Sequence, residues 1–216
     1  MNIAVLLSGC GIGDGSQIEE VVAIYISLDK IGATYTPVAL DAEQKRTINH
    51  VTEQADCSAR SILVESARIG RGRIVSLSDT SPDAFDALII PGGIGLLANY
   101  TNMLSQDKPV VVDDCVKDFI MGFVTLSKPV GVMCSAIQLI RLLFEGEGGN
   151  VTLFGTKQQI GTSERIDYVN CPATGIIIDN ANNIISTPAF IESQNLYYIS
   201  TGIDKLVGEI FNRISV

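Results

Sequence analysis

The chain has 216 residues, of which 46% are hydrophobic and 18% charged, and a formal net charge of −9. That length and apolar content suit one α/β domain over 1–216 with a large core and exclude a disordered chain. The acidic balance, without any Lys/Arg cluster interleaved with aromatics, argues against nucleic-acid or anionic-membrane partners. No stretch nears the roughly 20 apolar residues of a membrane span.

The opening MNIAVLLSG has no basic region and its apolar run stops at Ser8-Gly9. It reads as a first buried strand over 2–7, and the expectation is a cytoplasmic protein. A glycine loop follows at 9–15, then a helix from about 16 to 31. Residues 33–39 read as a second strand. Residues 41–56 are polar and irregular, and a loop of that length in a compact domain is a candidate functional insertion. A helix is predicted over 58–69, a short strand over 73–77 and an apolar strand over 86–91 that ends in Gly92-Gly93. A helix over about 109–126 precedes a core strand at 129–133, and another helix starts just after Cys134. Residues 151–154 are short and apolar. Residues 174–179 and 183–187 flank Asn180-Ala181-Asn182 and read as a hairpin. A last helix covers about 192–213. Short apolar strands alternating with helices predict a three-layer α/β sandwich with a mostly parallel central sheet and a C-terminal β-hairpin.

Five cysteines stand at wide spacings with no Cys-x-x-Cys, and His50 is the single histidine. A disulfide framework or a metal site is not expected from that pattern. The loop glycines fall at 9, 11, 13 and 15. No register gives G-x-G-x-x-G, and no Gly-Lys-Ser/Thr follows, so neither nucleotide-binding pattern is met. Such a loop is either a flexible strand-to-helix turn or a backbone that approaches a ligand closely.

Ser16-Gln17-Ile18-Glu19 fits a capping box, with Ser16 as N-cap and Glu19 reaching back. Glu20 is then left without a structural task. It is either a solvated carboxylate favoured by the helix dipole or a desolvated one tuned for proton transfer. Cys134 sits where a buried strand gives way to a helix. There a side chain is held at the sheet's carboxyl edge and the helix N-terminus favours a thiolate. The bland alternative is an inert core cysteine. Pro91-Gly92-Gly93 ends another strand with uncovered N–H groups. With the N–H of Ser135 these would form an oxyanion hole, or else the tripeptide is only a tight turn. Glu20, Gly92-Gly93 and Cys134 all fall at carboxyl ends of strands in one sheet, so they are expected to converge.

In combination these residues resemble the PfpI-like branch of the class I glutamine amidotransferase-like superfamily, and within it the ElbB family of enhancing lycopene biosynthesis proteins (sigma cross-reacting protein 27A). The resemblance is carried by Leu7-Ser-Gly-Cys-Gly-x-x-Asp-Gly-Ser16, Glu20, Ile48-Asn-His50, Glu65-Ser-Ala-Arg-Ile69, Pro91-Gly-Gly-x-Gly95, Gly131-Val-Met-Cys134, Thr187-Pro-Ala-Phe190 and Gly202-Ile-Asp-Lys-Leu-Val207. It implies a flavodoxin-like fold, usually a homodimer, with Cys134 as nucleophile paired with Glu20. It further implies glyoxalase III-like conversion of glyoxal or methylglyoxal, a small dicarbonyl substrate, to a hydroxy acid with no cofactor and no metal. Cys10, Gly11 and Asp14 in the first loop, and His50 in the insertion, are possible pocket residues. Protease-like relatives place a histidine after the cysteine and amidotransferases carry a late His and Glu. Here Ser135 follows Cys134 and the histidine is at 50, so peptide and glutamine hydrolysis are disfavoured. Family members often show Cys-Ile-Ala-Pro at the elbow, where this chain has Cys134-Ser-Ala-Ile137. A noncatalytic role, redox sensing or protein stabilisation through oxidation of Cys134, is the competing reading.

Overall fold

The computed structural model describes residues 1–105, 109–156, 161 and 163–215. Its frame is a seven-stranded sheet. β1 (Asn2–Leu6) lies beside β2 (Thr34–Ala39) on one side and β6 (Ala87–Ile90) on the other. The edge beyond β2 is the short β5 (Val75–Ser76). Beyond β6 come β7 (Val130–Met133), β11 (Ile184–Thr187) and β10 (Ile177–Asp179). Every neighbouring pair is parallel except the β10–β11 hairpin. β1, β6, β7 and β11 are almost wholly buried, as an apolar parallel sheet covered on both faces requires.

Alternation along β1 divides the core in two. Ile3, Val5 and Leu7 face α1 (Ile18–Lys30) and α6 (Leu196–Ile214), packing on Val21, Ile24, Ile203 and Leu206. Ala4 and Leu6 face the other layer, built from α2 (Ile62–Ile69), α3 (Ile94–Tyr100), α4 (Asp114–Thr125) and α5 (Ala136–Glu147). Phe85, Phe119 and Phe123 interlock at its centre. These three layers match the predicted sandwich. Within the insertion, β3 (Ile48–Asn49) and β4 (Gln54–Ala55) form a small antiparallel pair. Outside the main sheet, β8 (Val151–Phe154) pairs in parallel with β9 (Ile166–Val169).

Three local expectations change. The capping box does not form: α1 starts after Gln17, which makes no side-chain cap. Ser16 is fully buried instead, and its hydroxyl accepts the Ser8 N–H at 2.9 Å. A buried donor inside the glycine loop has no water to turn to, so it claims the serine that an exposed helix end would have used. The helix expected from 58 begins at Ile62, where the Ser61 hydroxyl accepts the Val64 N–H. α3, which immediately follows Gly93, has no counterpart in the sequence reading.

The glycine loop owes its composition to packing between backbones. A Cβ on Gly95, inside α3, would lie 2.0 Å from the Gly15 nitrogen. One on Gly15 would lie 2.2 Å from the Cys10 nitrogen. The loop is thus pressed flat between α3 and its own return, with Ile94 N–H donating to Ile12 O. Gly95→Ala is therefore expected to cost about 2 kcal/mol or more through overpacking. Gly208→Ala, inside α6 with no atom near its Cβ position, is neutral or stabilising by up to about 1 kcal/mol. Urea unfolding midpoints compare the two, and equal effects would contradict the backbone-contact account.

Candidate active site

The site lies at the carboxyl edge, where β1, β6, β7 and β11 end side by side. Cys134 directly follows β7 and precedes α5, whose N-cap is Ser135. Its φ is +51°, a left-handed conformation costly for a side chain of this kind. Two elements hold it there. Its N–H donates to Thr187 O at the end of β11, and its carbonyl accepts the Ile137 N–H. The strain turns the thiol back over the sheet edge, the geometry of a nucleophile elbow.

Glu20 comes from the first turn of α1 and is completely buried. Its Oε2 accepts the Gly92 N–H at 2.7 Å. The Gly92 carbonyl accepts the Gln17 N–H at 2.8 Å, so both ends of one glycine are tied to the start of α1. A Cβ at Gly92 would lie 2.6 Å from Cys134 Cβ, 3.1 Å from Cys134 Sγ and 3.0 Å from Glu20 Oε2. Only glycine leaves the thiol and the carboxyl room to meet. Glu20 Oε1 completes no hydrogen bond, although the Cys134 thiol and the Phe190 N–H lie close enough to favour the charged carboxylate.

Burial dominates the electrostatics. It raises the Glu20 carboxyl from 4.5 to about 7, against the opposing pull of the Gly92 N–H, the Cys134 thiol and the Phe190 N–H. Cys134, 6% exposed, is likewise pushed well above an ordinary thiol, first by burial and then by the Glu20 carboxylate. The Ser135 N–H and hydroxyl pull the other way and lose. The expected low-pKa thiolate is therefore corrected. A helix N-terminus does not outweigh burial beside a carboxylate, and the thiol is protonated at rest. Glu20, ionised above about 7, is the group placed to take its proton.

The expected oxyanion donors also differ in part. The Gly92 N–H is spent on Glu20, and the Gly93 N–H donates to Ser135 Oγ at 2.8 Å. The Ser135 N–H lies close enough to the Cys134 sulfur to favour its charged form. Gly11, Asp14 and His50 come together: a Cβ on Gly11 would lie 2.6 Å from His50 Nε2 and 3.4 Å from Asp14 Oδ1. Asp14 is buried and clamps the insertion through the Ile48 N–H at 2.9 Å and Arg60 at 3.4 Å. His50 Nε2 accepts the Gly13 N–H at 3.3 Å and stands 3.6 Å from Asp14 Oδ1. Cys10, half-buried, is raised by burial and by Glu65 of α2. Among the described residues, none of the hydrogen bonds at Cys134 or Glu20 comes from this group. No set of three or more His, Cys, Asp or Glu side chains among them is placed to hold a metal. No described helix is long and apolar enough to cross a membrane. A cleft of about 640 Å³ bordered by Ser127, Asn182 and Arg213 lies at the other, amino edge of the sheet, and no cysteine lines it among the described residues. The sequence reading missed the part of Thr187. Its signal, Thr187-Pro-Ala-Phe190, acquires meaning only once β11 is seen beside β7.

A folded carboxyl that titrates near 7 against 4.5 for an ordinary one binds more protons than the unfolded chain between those values. Its contribution is full below about 4.5 and is lost as pH rises to about 7, a span of roughly 3 kcal/mol. Glu20→Gln, which cannot ionise, removes this slope. Stability of both proteins measured from pH 4.5 to 7.5 tests it, and parallel curves would refute the buried-carboxyl account.

No protein-family model matches the chain. The ES1 protein homolog, mitochondrial, of Rattus norvegicus is 32% identical over 221 residues, covering 96% of this chain and 82% of that protein. The human glutamine amidotransferase-like class 1 domain-containing protein 3, mitochondrial, is also 32% identical, with 96% and 81% covered. A crystal structure of an isoprenoid biosynthesis protein with amidotransferase-like domain from Ehrlichia chaffeensis superposes with a TM-score of 0.91 at 30% identity, covering 99% of this chain and all of that one. Drosophila melanogaster DJ-1beta shares the fold at a TM-score of 0.53 and 15% identity, covering all of this chain and 97% of that one. The rat and human proteins, and an ES1 protein of Danio rerio, are named mitochondrial, so the expectation of a plain cytoplasmic protein does not stand. It rested on an apolar first strand, which reports how the sheet begins and not a compartment. At 32% identity over most of the rat and human proteins, the chain belongs to the ES1 family of glutamine amidotransferase-like class 1 proteins.

Proposed function

We propose that the chain is a cofactor-independent, glyoxalase III-like enzyme that converts glyoxal or methylglyoxal to the hydroxy acid. The observation that carries this reading is the Cys134 thiol and the Glu20 carboxyl meeting against Gly92, with the carboxyl poised near neutrality. Glu20 takes the thiol proton as sulfur bonds to the aldehyde carbon, and the carbonyl π pair moves to oxygen. Glu20 hands that proton to the oxygen, which gives the hemithioacetal and restores the carboxylate. Glu20 then removes the C–H proton from the same carbon and returns it to the neighbouring one through an enediol. The first carbon is oxidised and the second reduced within one molecule, so no external redox partner is required. Water cleaves the resulting thioester and restores the thiol. The slight exposure of Cys134 suits a substrate of only a few heavy atoms.

The glycine loop with Asp14 and His50 is placed, in this reading, as a wall that excludes water on the insertion side. A homodimer would cover the apolar face of α1 and α6, where Val22, Ile26 and Tyr197 are exposed. Light scattering reads its mass.

The decisive measurement is lactate formed from methylglyoxal by the purified chain. Wild type is expected to turn over. Cys134→Ser falls to background, and Glu20→Gln loses at least about 100-fold, the usual weight of a positioned acid–base group. No wild-type turnover would sink the reading and leave a noncatalytic, oxidisable Cys134 in its place, and full turnover by either variant would sink the role given to that residue.

A further inference from the structure

The Ser135 hydroxyl makes two hydrogen bonds to one residue. It accepts the Gly93 N–H at 2.8 Å and donates to the Gly93 carbonyl at 3.0 Å. A serine hydroxyl has one proton and two lone pairs. The Gly93 N–H fixes a lone pair, and the proton remains free to choose its acceptor by rotation. The Gly93 carbonyl does not depend on it, because that oxygen also accepts the Leu96 N–H at 3.2 Å from the first turn of α3. Withdrawing the serine proton therefore strands no buried acceptor.

Among the described residues, no cation offsets negative charge on the Cys134 sulfur. Both N–H groups of the Gly92-Gly93 pair are engaged, one by Glu20 and one by Ser135 itself. What remains close to the sulfur is Ser135, through its N–H and its hydroxyl. We propose that the Ser135 hydroxyl is a rotating donor that rests on the Gly93 carbonyl and swings its proton onto the Cys134 sulfur when Glu20 removes the thiol proton. The Gly93 N–H then acts through the hydroxyl, polarising it, and contacts no substrate. The hydroxyl and the sulfur meet at the same glycine pair: the sulfur would lie 3.1 Å from a Cβ on Gly92, the hydroxyl is bonded to the Gly93 N–H, and Ser135 acts on the thiol in the sense that favours its ionised form. A neutral donor that reorients by one bond rotation, with its supporting N–H already aligned, costs little reorganisation.

This inference rests on the reading of Cys134 as a nucleophile, and its test is independent of any dicarbonyl turnover. The rate of Cys134 alkylation by iodoacetamide is followed from pH 6 to 10 by peptide mass spectrometry, which separates it from the exposed Cys57 and Cys115. For Ser135→Ala the rate profile moves to higher pH by about one unit, with about tenfold slower alkylation at pH 8. Ser135→Thr, which keeps the hydroxyl, retains the wild-type profile. Ser135→Gly repeats the Ala result should that variant fold poorly. An unmoved or faster profile for both hydroxyl-free variants overturns the proposal, because the hydroxyl would then only plug the Gly93 N–H. Equal shifts in Ala and Thr overturn it as well, because fit at position 135 and not the O–H would be responsible.

Discussion

The hydrogen bond from the Gly92 N–H to the Glu20 carboxyl is the contact on which the site depends. It joins α1 to the end of β6 deep in the core, and the Gln17 N–H on the Gly92 carbonyl doubles the tie. A carboxyl this deeply buried, with no basic partner among the described residues, is costly as an ion, so the fold lets it hold its proton to about 7. Gly92 has a second duty because the thiol of Cys134 fills the space a Cβ would take. One glycine thus aligns three elements, and a shift of any of them moves the thiol and the carboxyl relative to each other.

The glycine loop beside it works on the same principle. Its backbone packs against the backbone of α3, and polar side chains fasten its cover. Asn99 donates to the carbonyls of Ser8 and Asp14, and the Asp14 carboxylate takes the Ile48 N–H of the insertion. Buried backbone groups of an irregular loop must find partners inside the protein. That requirement explains why residues resembling a ligand-binding loop are engaged with one another.

Much of this was legible in the sequence. Apolar runs followed by helices gave the sheet and its layers. Cys134 at a strand end, Glu20 with no capping task and Pro91-Gly92-Gly93 pointed to one edge. What escaped was decided by long-range contacts. The Ser16 hydroxyl obeys Ser8 and not the helix end, a competition set by burial. α3 is too short to declare a period, and β9 pairs in parallel with β8, an arrangement that no local turn signal announces. The thiol's raised pKa required knowing that Cys134 is buried and that Glu20 touches it, because position alone favoured a thiolate.

The raised pKa of both partners restricts the chemistry more than the presence of a cysteine does. A thiol protonated at rest, beside one carboxyl that titrates near 7, is a weak nucleophile until that carboxyl is ionised. Splitting an amide also needs a proton delivered to a poor leaving group, the task of imidazole in a Cys–His pair. The chain's histidine is at 50, and its Nε2 already accepts the Gly13 N–H. An aldehyde makes a smaller demand, since its carbon accepts sulfur readily and no leaving group departs in the first step. In the proposed reaction the carboxyl that takes the thiol proton would also serve the C–H bond that must break next. A single buried acid–base group suffices for that sequence, and the same constellation is poorly suited to glutamine or peptide hydrolysis despite the amidotransferase-like fold.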